Sequence, residues 1–208
     1  MTKTEKQSLI VSIASSYIGT VEGMYNHQVI VNIYNNISPL PVGYKLKLTD
    51  PWCAAFVSVV MRVANIDFPY ECSCERMRAN AVKMGLWEES DNYKPKIGDV
   101  VIFDWQDSGN GDNKGFPDHA GIVVDVSDGM ITTIEGNTSN RVGSRKFGID
   151  SRYIRGFINT KIEDDETDEK AWIIWAKSKG YDYSGHWDDE IRITYSQLFE
   201  ILYNITKG

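Results

Sequence analysis

The chain reads as an α+β protein, with N-terminal helices packed on an antiparallel sheet and a small helical C-terminal module beyond. Three observations predict this. Apolar residues recur at helical spacing as far as residue 84, then alternate at strand spacing from Val100 onward. Helices followed by strands, rather than alternating with them, give segregated layers. The acidic run TKIEDDETDEK, residues 160–170, has almost nothing to bury and separates body from tail. The expected division is a body at residues 1–159, a linker at 160–170 and a helical module at 171–208.

Residues 5–18 place Leu9, Ile10, Ile13, Ala14, Tyr17 and Ile18 on one helical stripe that stops at Gly19. A second stripe, Val29, Ile30, Ile33, Tyr34 and Ile37, runs to the turn Ser38-Pro39-Leu40-Pro41. The third helix is expected to start at Asp50 as N-cap, with Pro51 at the first helical position. From Ala54 to Ala64 it is apolar on nearly every side, which predicts burial at the centre. Ser73 is a cap for a fourth helix running to Met84 and stopped by Gly85. Strands are expected at Val100–Phe103, 120–126, 130–135 and Ile154–Ile158, separated by Gly-, Asp- and Asn-rich turns. In the tail, Trp172, Trp175 and Ala176 make one short stripe, and Leu198, Phe199, Leu202 and Tyr203 another.

The totals bound the function. The 208 residues are 42% hydrophobic and 25% charged, which excludes collagenous, low-complexity and wholly disordered chains. No stretch reaches the roughly 18 apolar residues of a membrane helix, so no membrane span is expected. The first twenty residues carry no secretory signal pattern, so the expectation is synthesis in the cytoplasm without export by the general route. Net charge is -7, against sequence-independent binding of nucleic acid. It is uneven: residues 160–208 hold 6 basic and 11 acidic side chains, for -5, and the rest hold 16 and 18, for -2. Three cysteines, Cys53, Cys72 and Cys74, cannot form a disulfide framework, and at least one is free within the monomer.

Cys53 falls in the first turn of the central helix. Unpaired N–H groups and the helix dipole favour negative charge there and lower a thiol's pKa. His119 opens the strand segment HAGIVVDV, in which Ala120, Ile122, Val124 and Val126 alternate as an apolar face. His119 lies on the other. A two-residue Asp128-Gly129 turn would put Glu135 on the face away from His119. A three-residue turn, Ser127-Asp128-Gly129, pairs Ile122 with Ile134, Val123 with Thr133 and Val126 with Met130. It also sets His119 opposite Asn137, with Glu135 diagonal to it on the same face. Burial favours this second register, which assembles a thiol, an imidazole and a polar orienting group. Those are the components of cysteine-dependent acyl transfer: the thiolate attacks a carbonyl carbon and the imidazolium protonates the leaving amine.

Four blocks occur in order: Leu48-Thr-Asp-Pro-Trp-Cys-Ala-Ala-Phe-Val-Ser58, Gly98-Asp-Val-Val-Ile-Phe103, Asp118-His-Ala-Gly-Ile-Val-Val124 and Ile134-Glu-Gly-Asn137. Together they resemble the CHAP and NlpC families of papain-like peptidoglycan hydrolases, over roughly residues 5–158. The resemblance implies Cys53 as nucleophile, His119 as base, and Glu135 with Asn137 as orienting groups. It implies bacterial peptidoglycan as partner and an amide of its peptide portion as substrate.

Other features have two readings each. Cys72-Ser73-Cys74 matches no usual zinc spacing and is expected to shape the start of the fourth helix. No metal is assigned. The polar loop at residues 104–118, with Asp104, Asp107, Asn110, Asp112 and Asp118, admits calcium by analogy with some CHAP domains, but it departs from the EF-hand pattern and reads equally as a solvated loop. No cofactor is expected, with calcium the one alternative. Trp52, Trp105, Phe116 and Asp118 are candidate substrate-binding residues; Trp105 and Phe116 equally suit pinning the loop to the core. His27 and His186 read as surface or packing residues. The tail faintly resembles small S-layer-homology-like wall modules, with Trp172, Trp175, Trp187 and Tyr203 either holding a polymer or packing. The leading expectation is a peptidoglycan endopeptidase or N-acetylmuramoyl-L-alanine amidase of the phage endolysin kind, acting on the wall after release at lysis. The rivals are the same chemistry on an intracellular amide or thioester, as in an effector or toxin, and a wall-binding module without catalysis. The sequence sets no oligomeric state.

Overall fold

Helix α1 (Lys3–Ser16) buries Ile10, Ile13 and Ala14, and α2 (Tyr25–Asn35) buries His27, Ile30, Val31 and Tyr34. These elements belong to a computed structural model that describes residues 1–90, 92–106 and 115–163. Thr4–Ile162 form one compact unit. Most of the acidic linker and the whole expected C-terminal module lie outside the described residues. α1 ends two residues before the expected stripe does: Gly19 adopts φ 86° and its N–H bonds to Val142 O at 3.0 Å, leaving Ile18 52% exposed. Asn35 clamps the following loop, its amide accepting from Leu46 N–H at 2.7 Å and donating to Leu46 O at 2.9 Å.

Helix α3 (Cys53–Val63) is buried without interruption from Cys53 to Met61, as its all-round apolar sequence predicts. Its start differs from expectation. The N-cap is Trp52, not Asp50, and the first helical bond runs from Phe56 N–H to Trp52 O at 2.9 Å. The Asp50 carboxylate is used one turn earlier, accepting from Lys47 N–H and the Tyr44 hydroxyl, both at 2.8 Å. Cys53 is therefore the first helical residue. Helix α4 (Cys74–Lys83) starts as predicted, with the Ser73 hydroxyl accepting from Arg76 N–H at 3.4 Å, and Gly85 at φ 66° follows its end.

Among the described residues the sheet has six strands: β1 (Trp87–Glu88), β2 (Val100–Phe103), β3 (His119–Ser127), β4 (Met130–Thr138), β5 (Arg141–Gly148) and β6 (Ile154–Ile158). Their order is β1-β6-β2-β3-β4-β5 and every neighbouring pair is antiparallel. Among the described residues the result is an α+β architecture of four α-helices and an antiparallel sheet. β2 and β6 are buried at every position, because both faces of the sheet carry apolar clusters. Val100, Ile102, Ala120, Ile122, Ile134 and Ile158 meet the helices. Val101, Phe103, Val123, Ile131, Ile154 and Phe157 make the second cluster, with Trp105 and Phe147 packed on it.

The β3–β4 hairpin combines the two registers weighed from the sequence. Its turn is the two-residue Asp128-Gly129 form, with φ 51° and 72°, and Ser127 pairs with Met130. The expected three-residue turn and its Val126–Met130 pair are not formed; Val126 pairs with Ile131. A β-bulge at Val124 then inserts one extra residue in β3 and restores the expected pairs Ile122–Ile134 and Val123–Thr133. The same bulge turns Val126 away from the face that Ala120 and Ile122 share with the helices.

Candidate active site

Three elements converge on one side chain, His119. The β2–β3 ladder, with Phe103 opposite His119, carries the imidazole to the start of β3, where it is 8% exposed. The register restored by the bulge puts Glu135 on the same face of β4, fully buried, and its Oε2 lies 2.8 Å from His119 Nε2. Since the carboxylate accepts, Nε2–H donates, which leaves Nδ1 for the Cys53 thiol. Cys53, 6% exposed, stands at the first position of α3, and His119 favours its thiolate form.

Two glycines allow these approaches. A Cβ on Gly121 would lie 2.6 Å from Glu135 Cγ, so only glycine lets the carboxylate cross β3. A Cβ on Gly136 would lie 2.5 Å from Phe56 Cβ and 3.0 Å from Trp52 Cε3, so glycine there lets the start of α3 sit on β4. Trp52 is itself fully buried, its ring 4.6 Å from that of His27 and its Nε1–H donating to Glu22 Oε2 at 3.1 Å. Its place is therefore in the core beneath Cys53, not on a substrate surface as expected. His27 is a packing residue, buried, with Nδ1 accepting from Gly23 N–H at 3.0 Å.

Glu135 has more partners than the sequence indicated. Its Oε2 also accepts from Arg145 Nε at 2.8 Å and from Arg145 Nη2, and its Oε1 accepts from the Thr133 hydroxyl at 2.5 Å. The Arg145 guanidinium lies 4.6 Å from the Trp105 ring centroid and 5.2 Å from that of Phe147. Trp105 is stacked on Phe103 at 4.6 Å, and its backbone N–H donates to Asp118 Oδ1 and Oδ2 at 3.2 and 3.1 Å. Trp105 and Asp118 thus brace the site from behind. Phe116 is 75% exposed. Asn137 sits where β4 shifts register against β5, at φ 58°, and the expected His119–Asn137 pair is not part of the β3–β4 ladder.

Thr133 shares a face with Glu135 in the strand pattern and was discoverable from it. Arg145 was not, because β5 was not expected. Cys74 was read only as part of a helix start, yet its Sγ is 3.6 Å from Cys53 Sγ.

The electrostatics favour an ion pair. A hydrogen bond from Cys74 is the largest influence holding the Cys53 thiol well below its ordinary range; burial opposes it, and His119 and the Ala54 N–H add to it. Burial pulls the His119 imidazolium down, but hydrogen bonds to Cys53 and Glu135 overcome it and take the group up to about 9. Burial pushes Glu135 up, and the bonds from His119, Arg145 and Thr133 more than offset it, keeping the carboxylate below its usual range.

No group of three or more His, Cys, Asp or Glu residues poised for a metal ion occurs among the described residues. Of the polar loop, Asp107, Asn110 and Asp112 lie outside them, while Asp104 accepts from Gln106 N–H at 3.0 Å.

Against known families, the match falls on this site. Residues 44–137 match the CHAP domain. The CHAP stretch contains Cys53, His119, Glu135 and Asn137, and over these residues the CHAP part of the resemblance read from the sequence is shown. CHAP domains are in general cysteine- and histidine-dependent amidases or peptidases. No curated protein matches the chain. A solved structure described as "The crystal structure of Ly7917" is similar at 14% identity and a TM-score of 0.42, covering 74% of this chain and 62% of that one. The chain thus spans under two thirds of the length of that protein. No helix among the described residues is long and apolar enough to cross a membrane.

Proposed function

We propose that the protein is a cysteine amidohydrolase that cuts amide bonds in the peptide portion of bacterial peptidoglycan. The observation that carries this reading is the Cys53 thiol at the start of α3, its thiolate favoured by a His119 ring whose Nε2 is held 2.8 Å from Glu135. The Cys53 thiolate attacks the amide carbon. The oxyanion forms beside the N-terminus of α3, where the Cys53 N–H has no helical partner. His119, as imidazolium, donates its Nδ1 proton to the leaving amine and then takes a proton from the water that releases the acyl group. Glu135 fixes the ring orientation and stabilises its charge, and Arg145 with Thr133 fixes Glu135. Exposed Phe116 is suited to touching substrate.

The role that suits such an activity is that of an endolysin reaching the wall at lysis. The test is to incubate the full chain with purified Gram-positive cell walls and identify the released ends by mass spectrometry. New N-termini on stem or bridge peptides mean endopeptidase, and free lactyl carboxylates mean amidase. Walls left with neither, by protein whose Cys53 still alkylates rapidly, would overturn the substrate class in favour of another amide or thioester.

A further inference from the structure

One feature of the Cys-Ser-Cys segment is unused by hydrolysis. Cys74 Sγ lies 3.6 Å from Cys53 Sγ, and each cysteine is the first residue of its helix and 6% exposed. The contact is built. The Ser58 hydroxyl of α3 donates to Glu71 O and accepts from Glu71 N–H, both at 2.8 Å, which ties the chain entering α4 to the flank of α3. Ser73 then caps α4 and delivers Cys74 to the nucleophile. Cys72 lies elsewhere, half-buried beside Tyr34.

We propose that Cys53 and Cys74 are a modification site for peroxides, forming a reversible disulfide in which Cys74 is the resolving thiol of the nucleophile. In the first step the Cys53 thiolate attacks a peroxide oxygen. An S–O bond forms, the O–O bond breaks, and the departing hydroxide takes the His119 proton to leave as water. Cys53 sulfur is oxidised to sulfenic acid and the peroxide is reduced. In the second step Cys74 sulfur attacks Cys53 sulfur. The S–S bond forms, the S–O bond breaks, and the hydroxide leaves as water with the Cys74 proton. Closing from 3.6 Å to disulfide length needs only about 1.5 Å of approach. The largest influence holding Cys74 as a thiol is its hydrogen bond to Cys53. A neutral sulfenic acid weakens that hold at the moment the resolving step needs a nucleophile. The bond itself does not require the hydrolase reading, whereas its consequence, a reversible block of hydrolysis, rests on it.

The test treats the reduced full chain with hydrogen peroxide, alkylates free thiols and maps peptides without reduction. The expected result is a Cys53–Cys74 linked peptide that dithiothreitol reverses. In Cys74→Ser, Cys53 passes to sulfinic and sulfonic acid and is not recovered. In Cys53→Ser, Cys74 remains fully alkylatable, a comparison that holds even if Cys74→Ser folds poorly. Cys53 reaching sulfinic acid in wild type while Cys74 stays alkylatable would overturn the proposal, as would a Cys53–Cys72 link. A Cys53–Cys74 link in protein that never cleaves walls would leave this site standing and remove the substrate reading instead.

Discussion

His119 Nε2 lies 2.8 Å from Glu135 Oε2 across the β3–β4 hairpin, a contact that exists because one bulged residue, Val124, corrects the register set by the turn. Without the bulge the Asp128-Gly129 turn would pair Ile122 with Glu135 and send the carboxylate to the opposite face. The site is therefore a property of the hairpin's irregularity, and the chemistry depends on how firmly Glu135 is held.

Activity should depend on pH as a thiolate–imidazolium pair does. On the acid side it falls as Cys53 is protonated, well below the ordinary thiol value of 9.0. On the alkaline side it falls as His119 loses its proton at about 9. The pair titrates as a unit, so the two limbs belong to both groups. Stability follows the same signs. The raised His119 contributes fully below its ordinary 6.5 and loses the contribution as pH rises through about 9. The lowered Cys53 contributes above 9.0 and loses it as pH falls through its folded value. In Glu135→Gln the alkaline limb of kcat/KM moves down and the rate drops by about 10²- to 10⁴-fold. An alkaline limb left unmoved in that variant would contradict the assignment.

Several elements were legible in the sequence because burial leaves a plain pattern. β2 and β6, buried at every position, coincide with the runs VVIF and IRGFI, and Ser73 caps α4 as expected. The start of α3 was not, because Asp50 is drawn to Lys47 N–H and Tyr44 rather than to the helix. β5 was missed because RVGSRKFG offers little strand propensity and only Val142 is buried along it. Arg145 was lost with it. The Cys53–Cys74 contact joins two helix starts 21 residues apart through tertiary packing, which no local periodicity encodes.

Arg145→Gln removes the cation from a fully buried carboxylate. The expected cost is about 1–3 kcal/mol of stability in urea unfolding, with a change in Trp105 fluorescence, since the guanidinium leaves a ring 4.6 Å away. His119 should become harder to hold in place, lowering kcat more than it raises KM. Unchanged stability and kcat would show that Arg145 is only a surface partner.

Gly121→Ala tests the approach of Glu135 from the other side. The new Cβ would meet Glu135 Cγ at 2.6 Å and Cδ at 3.3 Å, so the carboxyl must move from His119. Overpacking of this kind costs about 1–3 kcal/mol, and activity should fall at least tenfold (about 1.4 kcal/mol of lost transition-state stabilisation suffices). A variant as active as wild type would mean that Glu135 does not set the ring's position.

The central claim is that Cys53 is the nucleophile that cuts peptidoglycan amides, and it is tested most directly by comparing wild type with Cys53→Ala on purified walls, following turbidity. Cys53 is buried in well-packed surroundings, so the folded state of the variant is checked by its unfolding transition. The account predicts clearing by wild type and a loss of at least about a thousandfold in the variant. Equal clearing by both proteins would contradict it.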